Sequence, residues 1–343
     1  MGKAKKDNLN SNKKSVKYDI SVVIQSYDRP KFLYQAIESV LSQNTDFSIE
    51  LIVVKNYTDP DVDGLLNSID AINILSEDNT FLGKVMEGLS YSTAQVVSLL
   101  DDDDLFAETK IETVVKEFDH NPRLIYYHNF FDEIDSSGNV RKSVLMKPAD
   151  EDIVIDTRNI KHNKQKELYF FYSYYNTSSI SIRKVEFVKF FNEHREFHAK
   201  PIDSNFFLAA CACEYDIKIS NKVLNLYRIH DSNITFDTNS IQSIAELRRD
   251  IDRQSKMESN YEGKFVHPLV QSSRLDTLFI SLFSKYDVER PKFSDYILFA
   301  YFSLKKKNRV QFFLISLLYF GLISRDRLLK IQEKRSKRRT AFT

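Results

Sequence analysis

The chain has 343 residues with 42% hydrophobic and 13% aromatic side chains, a composition that excludes an intrinsically disordered protein. Its formal net charge of +1 is unevenly distributed: residues 1–17 carry +5, residues 305–343 carry +10, and the segment between them carries −14. An acidic central segment excludes nucleic-acid binding over a broad face, because phosphate contacts require a basic surface.

Strand and helix patterns alternate along the first third of the sequence. Nearly continuous apolar runs predict buried strands at residues 18–27, 49–56, 72–77 and 96–100. Apolar residues at helical spacing predict helices at 28–43, 82–92 and 106–118. This alternation predicts an α/β fold with a mostly parallel central sheet flanked by helices.

The pattern changes after residue 124. We predict a hairpin at 124–146, a polar irregular stretch at 150–170, a strand-like segment at 170–183, a helix near 204–213 and a strand at 223–230. From about residue 240 the pattern is helical to the end, which predicts a helical C-terminal region.

Four consecutive aspartates, Asp101–Asp104, directly follow the strand predicted at 96–100. Adjacent carboxylates repel one another and favour a cation, and their oxygens are ligands that Mg²⁺ and Mn²⁺ prefer. The alternative is a solvated acidic loop. Asp28 and Asn56 also follow strand ends, and the carboxyl ends of parallel strands share one edge of the sheet. The sequence therefore predicts a binding crevice with a divalent cation at this edge.

Glycine-rich phosphate-binding loops are absent: the sequence contains neither GxxxxGK[ST] nor GxGxxG, and it has seven glycines in all. A diphosphate would therefore be neutralised by the metal ion and a few basic side chains. Lys84, near the start of a predicted helix, is one candidate, and a solvated lysine is the alternative.

The segments SVVIQSYDRP, AIESVLSQ, IELIVVKN, FLGKVMEGL and VVSLLDDDDLF, in this order, resemble family-2 glycosyltransferases, which have the GT-A nucleotide-diphospho-sugar transferase fold. Two later segments also resemble the family: PIDSNFFLAACACEYDIKIS at 201–220 and VLNLYRIHDSNIT at 223–235. The resemblance implies a Rossmann-like GT-A domain at residues 18–235. We expect a disordered basic tail at 1–17 before it and the helical region 236–343 after it.

The resemblance also implies roles for five aspartates. Asp101 and Asp103 correspond to the ends of the Asp-x-Asp motif and are expected to bind Mn²⁺ or Mg²⁺ and the donor's diphosphate. Asp102 and Asp104 are expected to support them or to contact the ribose. Asp203 is expected to be the general base that takes the proton of the acceptor hydroxyl, whereas without the resemblance it is an ordinary helix N-cap.

Two residues of the Tyr-Arg-x-His segment are implied in donor binding. His230 is expected to bind the metal or the diphosphate, and Arg228 to donate to phosphate; a rim histidine and a structural ion-pair arginine are the alternatives. The sequence departs from the family at Lys55-Asn56, where an acidic pair usually reads the nucleobase. Asn56 and Asp28 are the remaining candidates for nucleotide contacts, and the preferred base stays open.

Basic and large apolar residues lie side by side near the C-terminus. The apolar run 312–323 is too short to span a bilayer, which needs about 20 residues, and basic residues flank it at 305–309 and 334–339. The pattern predicts either a helix on an anionic membrane surface or a helical cap that packs on the catalytic domain or in a homodimer. Cys211 and Cys213 fit no disulfide framework and the N-terminus no signal peptide, so we predict a cytoplasmic protein, peripheral if it binds membrane.

We therefore predict a metal-dependent glycosyltransferase that moves a sugar from a UDP- or GDP-sugar to a hydroxyl of a sugar, lipid-linked or protein acceptor. The family resemblance implies that the transfer inverts the anomeric carbon. The alternatives are a sugar-nucleotide nucleotidyltransferase and a non-catalytic, membrane-tethered scaffold of the same fold. A nucleotidyltransferase requires a glycine-rich loop after the first strand, and SYDRPKF at 26–32 has no glycine.

Overall fold

The computed structural model describes residues 18–27, 30–141, 150–159, 175–197, 202–230, 244–280, 282, 291–305, 309–324 and 326–327. Its strands are β1 (Ile20–Ser26), β2 (Ile49–Lys55), β3 (Ile72–Leu75), β4 (Val96–Asp101), β5 (Leu105–Phe106), β6 (Leu124–Ile134), β7 (Val140–Arg141), β8 (Ile153–Asp156), β9 (Ile180–Arg183) and β10 (Asp216–Arg228). They form one sheet in the order β3-β2-β1-β4-β9-β6-β10-β5, with β7 paired to β6 and β8 to β10.

The four strands β3, β2, β1 and β4 run parallel to one another. Every residue of β1 is buried, as expected for a strand that is covered on both faces. In the register of the sheet, Gln25 at the end of β1 lies opposite Asp101 of β4, and Ser26 lies opposite Lys55 of β2. The carboxyl ends of these three strands therefore lie side by side, which confirms the predicted parallel arrangement.

Helices cover both faces of the sheet. They are α1 (Pro30–Leu41), α2 (Pro60–Ser68), α3 (Phe81–Tyr91), α4 (Lys110–His120), α5 (Lys184–Glu193), α6 (Ile202–Ala212), α7 (Ile244–Asn260), α8 (His267–Ile280), α9 (Phe293–Lys305) and α10 (Arg309–Tyr319). Apolar side chains of α1, α2 and α4 form one core cluster with the sheet, and those of α3, α5 and α6 form another. The predicted α/β class, with a central sheet flanked by helices, is confirmed.

The second half of the sheet differs in part from the prediction. The hairpin after residue 124 is present as β6 and β7, but the stretch 150–170, predicted to be irregular, contains β8. β8 pairs antiparallel with β10, which also pairs with β6 on its other side. Pairing on both sides satisfies the backbone of residues 216–219, and β10 begins at Asp216, seven residues before its predicted start.

The C-terminal helices pack in two groups. Met257 of α7 and Leu269 of α8 join the core beneath the sheet, whereas the end of α8 forms a separate apolar cluster with α9 and α10. None of the helices in the described ranges is long and apolar enough to cross a membrane. The predicted tail at 1–17 and the boundary near residue 235 lie outside the described residues.

Candidate active site

The aspartate run begins at the carboxyl end of β4 and turns toward β5. Asp102, Asp103 and Asp104 are buried, with 1%, 7% and 0% of their surface exposed. One carboxylate oxygen from each of Asp101, Asp103 and Asp104 lies within 4.8 Å of the others. Three carboxylates this close repel one another in a buried site, which a divalent cation would relieve.

Asp102 bonds to the end of β1. Its Oδ2 accepts hydrogen bonds from Ser26 Oγ at 2.6 Å and from the Tyr27 main-chain N–H at 3.2 Å. Gln25 Nε2 likewise donates to Asp101 Oδ1. The ends of β1 and β4 are therefore joined by side-chain hydrogen bonds as well as by the sheet.

Asp104 is the most deeply buried member of the run. Its Oδ2 accepts from Ser178 Oγ at 2.6 Å, and its Oδ1 accepts from the Arg228 main-chain N–H at 2.8 Å. Burial, together with the charges of Asp103 and Asp101, raises the pKa of Asp104 well above its usual value. A bound cation would reverse this effect by stabilising the carboxylate form.

Arg228 is completely buried, and its guanidinium donates to protein oxygens. Nε donates to the Asp103 carbonyl at 2.7 Å, and the terminal nitrogens donate to the Asp135 carbonyl at 3.2 Å and to Gln35 Oε1 at 2.7 Å. The guanidinium also lies over the Phe32 ring, 4.6 Å from its centroid. These contacts fix the aspartate turn against β10.

His230 lies beside the aspartates, two residues after the end of β10. Its Nε2 is 3.1 Å from Asp103 Oδ2, and its ring packs on Phe32 with centroids 5.0 Å apart. Carboxylate oxygens with one adjacent imidazole form a donor set that suits Mn²⁺, and the oxygens alone suit Mg²⁺. The residues present therefore fit the predicted cation.

Lys84 is buried within α3 rather than solvated. Its Nζ lies 4.4 Å from the centroid of the Tyr27 ring, and no residue in the described ranges accepts a hydrogen bond from it. Burial lowers the pKa of Lys84, and the charges of Asp78, Asp102 and Glu87 oppose that effect. The ammonium therefore lies beneath an aromatic ring at the same edge of the sheet as the aspartates.

Of the two residues predicted to contact the nucleotide, Asn56 and Asp28, the structure describes Asn56. Asn56 directly follows β2, and its Nδ2 donates to Asn79 Oδ1 at 3.4 Å. Asp28 lies outside the described residues. At the end of β2, the ammonium of Lys55 pairs with Asp63 at 2.7 Å and donates to the Tyr57 carbonyl, so this lysine holds the loop together.

Asp203 is the second residue of α6 and lies inside its first turn. Its Oδ1 accepts from the Ser204 N–H at 2.7 Å, and its Oδ2 accepts from the Asn176 N–H at 3.2 Å. Burial raises the pKa of Asp203 to about 6, although these hydrogen bonds oppose the rise. A carboxyl group with a pKa near neutrality can accept a proton and release it again at physiological pH.

Sequence reasoning missed the residues that connect these groups. Ser178 accepts from the Asp101 N–H at 3.0 Å and donates to Asp104, and Lys110 Nζ donates to the Ser178 carbonyl at 2.6 Å and to Asn129 Oδ1 at 2.8 Å. Burial lowers the pKa of Lys110 well below its usual value, and the charge of Asp104 opposes this. An isolated serine or a helix-start lysine carries no motif that would reveal such a role.

Comparison with known families identifies the domain that carries this site. Residues 21–185 match the sequence profile of Glycosyl transferase family 2. These residues form a family-2 glycosyltransferase domain. The profile includes the aspartate run and residues 175–183, whereas α6 and the end of β10, which carry Asp203 and Arg228, follow it in the chain.

Curated relatives match the chain over short segments. An uncharacterized glycosyltransferase of Rickettsia bellii is 30% identical over 129 residues, which are 36% of this chain and 18% of the relative. The minor teichoic acid biosynthesis protein GgaB of Bacillus subtilis is 32% identical over 118 residues, 32% of this chain and 13% of that protein. The matched segments thus span less than a fifth of the length of these two relatives.

A solved structure matches over nearly the whole chain. Residues 1–349 of S. aureus TarS, in complex with UDP-GlcNAc, align with a TM-score of 0.55 and 14% identity, covering 92% of each chain. At this identity the match establishes the fold alone. It confirms the GT-A fold for the family-2 domain together with the helices that follow it.

Proposed function

We propose that this protein transfers a sugar from a nucleotide-diphosphate sugar to an acceptor hydroxyl, with inversion at the anomeric carbon. One observation carries the proposal: in a family-2 domain, the Asp104 carboxylate, which lies within 4.8 Å of those of Asp101 and Asp103, is linked to Asp203 through hydrogen bonds of Ser178 and Asn176. We assign the aspartates to a cation that binds the diphosphate and Asp203 to the acceptance of the proton, and the hydrogen bonds between them hold the two groups in a fixed relation.

The donor is proposed to be a UDP-sugar, with a GDP-sugar as the second choice. Support comes from the fold shared with TarS, which was solved with UDP-GlcNAc. Asp28, Asn56 and Asp102 are assigned to the nucleoside because Asn56 and Asp102 lie at the carboxyl edge of the sheet and Asp28 follows β1 in sequence. Lys84 acts through its charge rather than by direct contact, since the Tyr27 ring lies over its ammonium.

Asp101 and Asp103 are assigned as ligands of Mn²⁺ or Mg²⁺, with Asp104 and His230 beside them. When bound, the cation offsets the negative charge that grows on the leaving diphosphate. Arg228 keeps the Asp103 carbonyl and the Asp104 carboxylate in place through its main-chain and guanidinium donors. Its part in the reaction is therefore positioning.

Asp203 is assigned as the general base. The acceptor oxygen forms its bond to the anomeric carbon while its proton moves to an Asp203 carboxylate oxygen. The bond from that carbon to the diphosphate oxygen breaks, and the nucleoside diphosphate leaves with the electron pair. A single displacement of this kind inverts the configuration. The acceptor hydroxyl belongs to a sugar, a lipid-linked glycan or a protein.

Nucleotide binding tests the donor site. UDP, GDP, CDP and dTDP are each added with and without Mn²⁺ to the wild type, to Asp103→Asn, and to Asp119→Asn, which alters an exposed aspartate of α4. We expect one nucleotide to raise the melting temperature of the wild type and of Asp119→Asn only with Mn²⁺, and Asp103→Asn not to respond. A metal-independent shift, or none, would contradict the proposal.

Turnover of the donor identified in this way tests the base. Asp203→Asn keeps an oxygen that accepts from the Asn176 N–H, so we expect nucleotide binding to be retained. We expect kcat to fall by about 10²- to 10⁴-fold, the usual contribution of a general base. Full activity of this variant would favour a different proton acceptor.

A further inference from the structure

Helix α9 has two apolar faces, of which one is packed inside the protein. Phe299 and Phe302 are 2% and 6% exposed and contact the cluster that includes Phe279 of α8 and Ile315 of α10. The other face is exposed: Phe293, Ile297, Tyr301 and Leu304 keep 60%, 55%, 50% and 56% of their surface in solvent.

These four exposed side chains form a row. Their spacings of four, four and three residues place them within an arc of about 80° on a helix that turns 100° per residue. Exposed large apolar residues continue on α10 and just beyond it, where Phe313 is 61%, Phe320 49% and Leu322 73% exposed. Single exposed apolar residues are ordinary on a protein surface, whereas a row on one helix marks a contact surface.

The charge next to this row is strongly positive. Residues 305–309, between α9 and α10, contain three lysines and one arginine, and residues 305–343 carry +10. Between residues 291 and 325 the sequence has one acidic residue, Asp295, whose carboxylate bonds to Arg274 at 3.2 Å. An apolar helix face followed by basic residues is suited to an anionic membrane, which has an apolar acyl-chain interior beneath negatively charged headgroups.

We propose that the exposed face of α9 binds an anionic lipid surface. The row of Phe293, Ile297, Tyr301 and Leu304 enters the headgroup boundary, and the net positive charge of residues 305–343 favours an anionic surface over a neutral one. A second copy of the chain is disfavoured as the occupant, because it would bring together two copies of the link from α9 to α10, whose sequence has three lysines and one arginine. This inference goes beyond the proposed sugar transfer and does not depend on it.

Vesicle sedimentation of the full-length protein tests the proposal. The vesicles are phosphatidylcholine alone, or equal parts phosphatidylcholine and phosphatidylglycerol, at low salt and at about 0.5 M salt, where charges are strongly screened. One variant combines Phe293→Ser, Ile297→Ser and Leu304→Ser, and a second combines Lys305→Glu, Lys306→Glu and Lys307→Glu. A matched control combines Tyr91→Ser, Val140→Ser and Val185→Ser, which are equally exposed elsewhere.

We expect the wild type and the matched control to bind the anionic vesicles at low salt. Binding should fall at least about tenfold in each of the other two variants, in high salt, and with phosphatidylcholine alone. Two results would overturn the proposal. One is that the wild type does not bind the anionic vesicles at low salt, or that either variant binds them as well as the wild type does. The other is concentration-dependent self-association that only the apolar variant abolishes, which would assign the face to a second copy.

Discussion

The main-chain N–H of Asn176 donates a hydrogen bond of 3.2 Å to Oδ2 of Asp203. Oδ1 of Asn176 accepts from the Ser178 N–H at 2.8 Å, and Ser178 Oγ donates to Asp104 Oδ2 at 2.6 Å. Asn176 and Ser178 thus connect the proposed base with the carboxylate of Asp104, three residues after the end of β4. Asn176 has a φ of 75°, a region that costs a residue with a side chain about 1–3 kcal/mol.

Substitution of Asn176 separates backbone strain from its side-chain bond. Both glycine and alanine remove the side-chain oxygen that accepts from the Ser178 N–H. Glycine adopts positive φ without strain, whereas alanine keeps the strain. We therefore expect Asn176→Ala to lower the free energy of unfolding by about 1–3 kcal/mol and Asn176→Gly to lower it less. Denaturant unfolding with a parallel kcat/KM assay measures both effects. Equal losses in the two variants would show that positive φ does not matter here.

Two helical glycines provide a packing prediction with an internal control. A Cβ at Gly88 of α3 would lie 2.5 Å from a methyl carbon of Val23, whereas one at Gly64 of α2 would meet nothing within 4 Å. We expect Gly88→Ala to destabilise the protein by about 1–3 kcal/mol through overpacking. Gly64→Ala should stabilise it by up to about 1 kcal/mol, because alanine favours the helix. Thermal unfolding of both variants checks the two signs.

The parallel half of the fold could be predicted because its strands are buried on both faces and its helices are amphipathic. Both conditions leave a pattern in the sequence, as in the all-apolar center of β1 and the spaced apolar residues of α4. β8 leaves no such pattern, since only one of its four residues is fully buried. The long pairing of β10 also depends on its partners β6 and β8 rather than on its own sequence.

The candidate site was predictable where charge is concentrated and unpredictable where contacts cross the chain. The four aspartates are adjacent in the sequence, so their mutual repulsion and their need for a cation could be predicted without the fold. Ser178 is 74 residues from Asp104, and Lys110 is 68 residues from the Ser178 carbonyl, so only the fold brings them together. The solvated alternative for Lys84 was reasonable from its position, but the side chain is buried.

Stability should depend on pH through Asp203. Its pKa is raised from 3.8 to about 6 in the folded protein, so the folded state holds a proton that the unfolded state has released. The stabilisation is full below pH 3.8 and is lost as pH rises through about 6. We expect Asp203→Asn to gain about 1–3 kcal/mol over the wild type across this window and to keep the gain above it.

Unfolding titrations at several pH values measure that difference. Asp156→Asn is the control of opposite sign, because a hydrogen bond from Arg158 lowers the pKa of Asp156 to about 2. This variant should lose stability where the wild-type carboxylate is charged. A gain for Asp203→Asn that does not vary with pH would show that the carboxyl group is not shifted.

Activity should also report the raised pKa of Asp203. A general base must be ionised, so we expect kcat/KM of the wild type to rise about tenfold per pH unit below the pKa and to level off above it. The midpoint is expected at about 6. Measurements at saturating Mn²⁺ keep metal binding from dominating the profile. A flat profile across this region would exclude Asp203 as the group that accepts the proton.

Ser178 should influence metal binding beyond its effect on stability. Its hydroxyl bonds both Asp104 and the Asp101 main chain, whereas the buried Ser98 hydroxyl of the same sheet bonds only Ser181 among the contacts described. We expect Ser178→Ala and Ser98→Ala each to cost about 1–3 kcal/mol of unfolding free energy, because each leaves a buried polar partner unsatisfied.

Only Ser178→Ala should also weaken Mn²⁺ binding, by about ten- to a hundredfold, as is usual when the hydrogen bond that orients a metal ligand is removed. Isothermal titration of Mn²⁺ in the presence of the preferred nucleotide measures this affinity for both variants. Equal Mn²⁺ affinity in the two variants would contradict this prediction. It would mean that the hydrogen bond from the Arg228 main-chain N–H is enough to orient Asp104, and that Ser178 contributes to stability but not to metal binding.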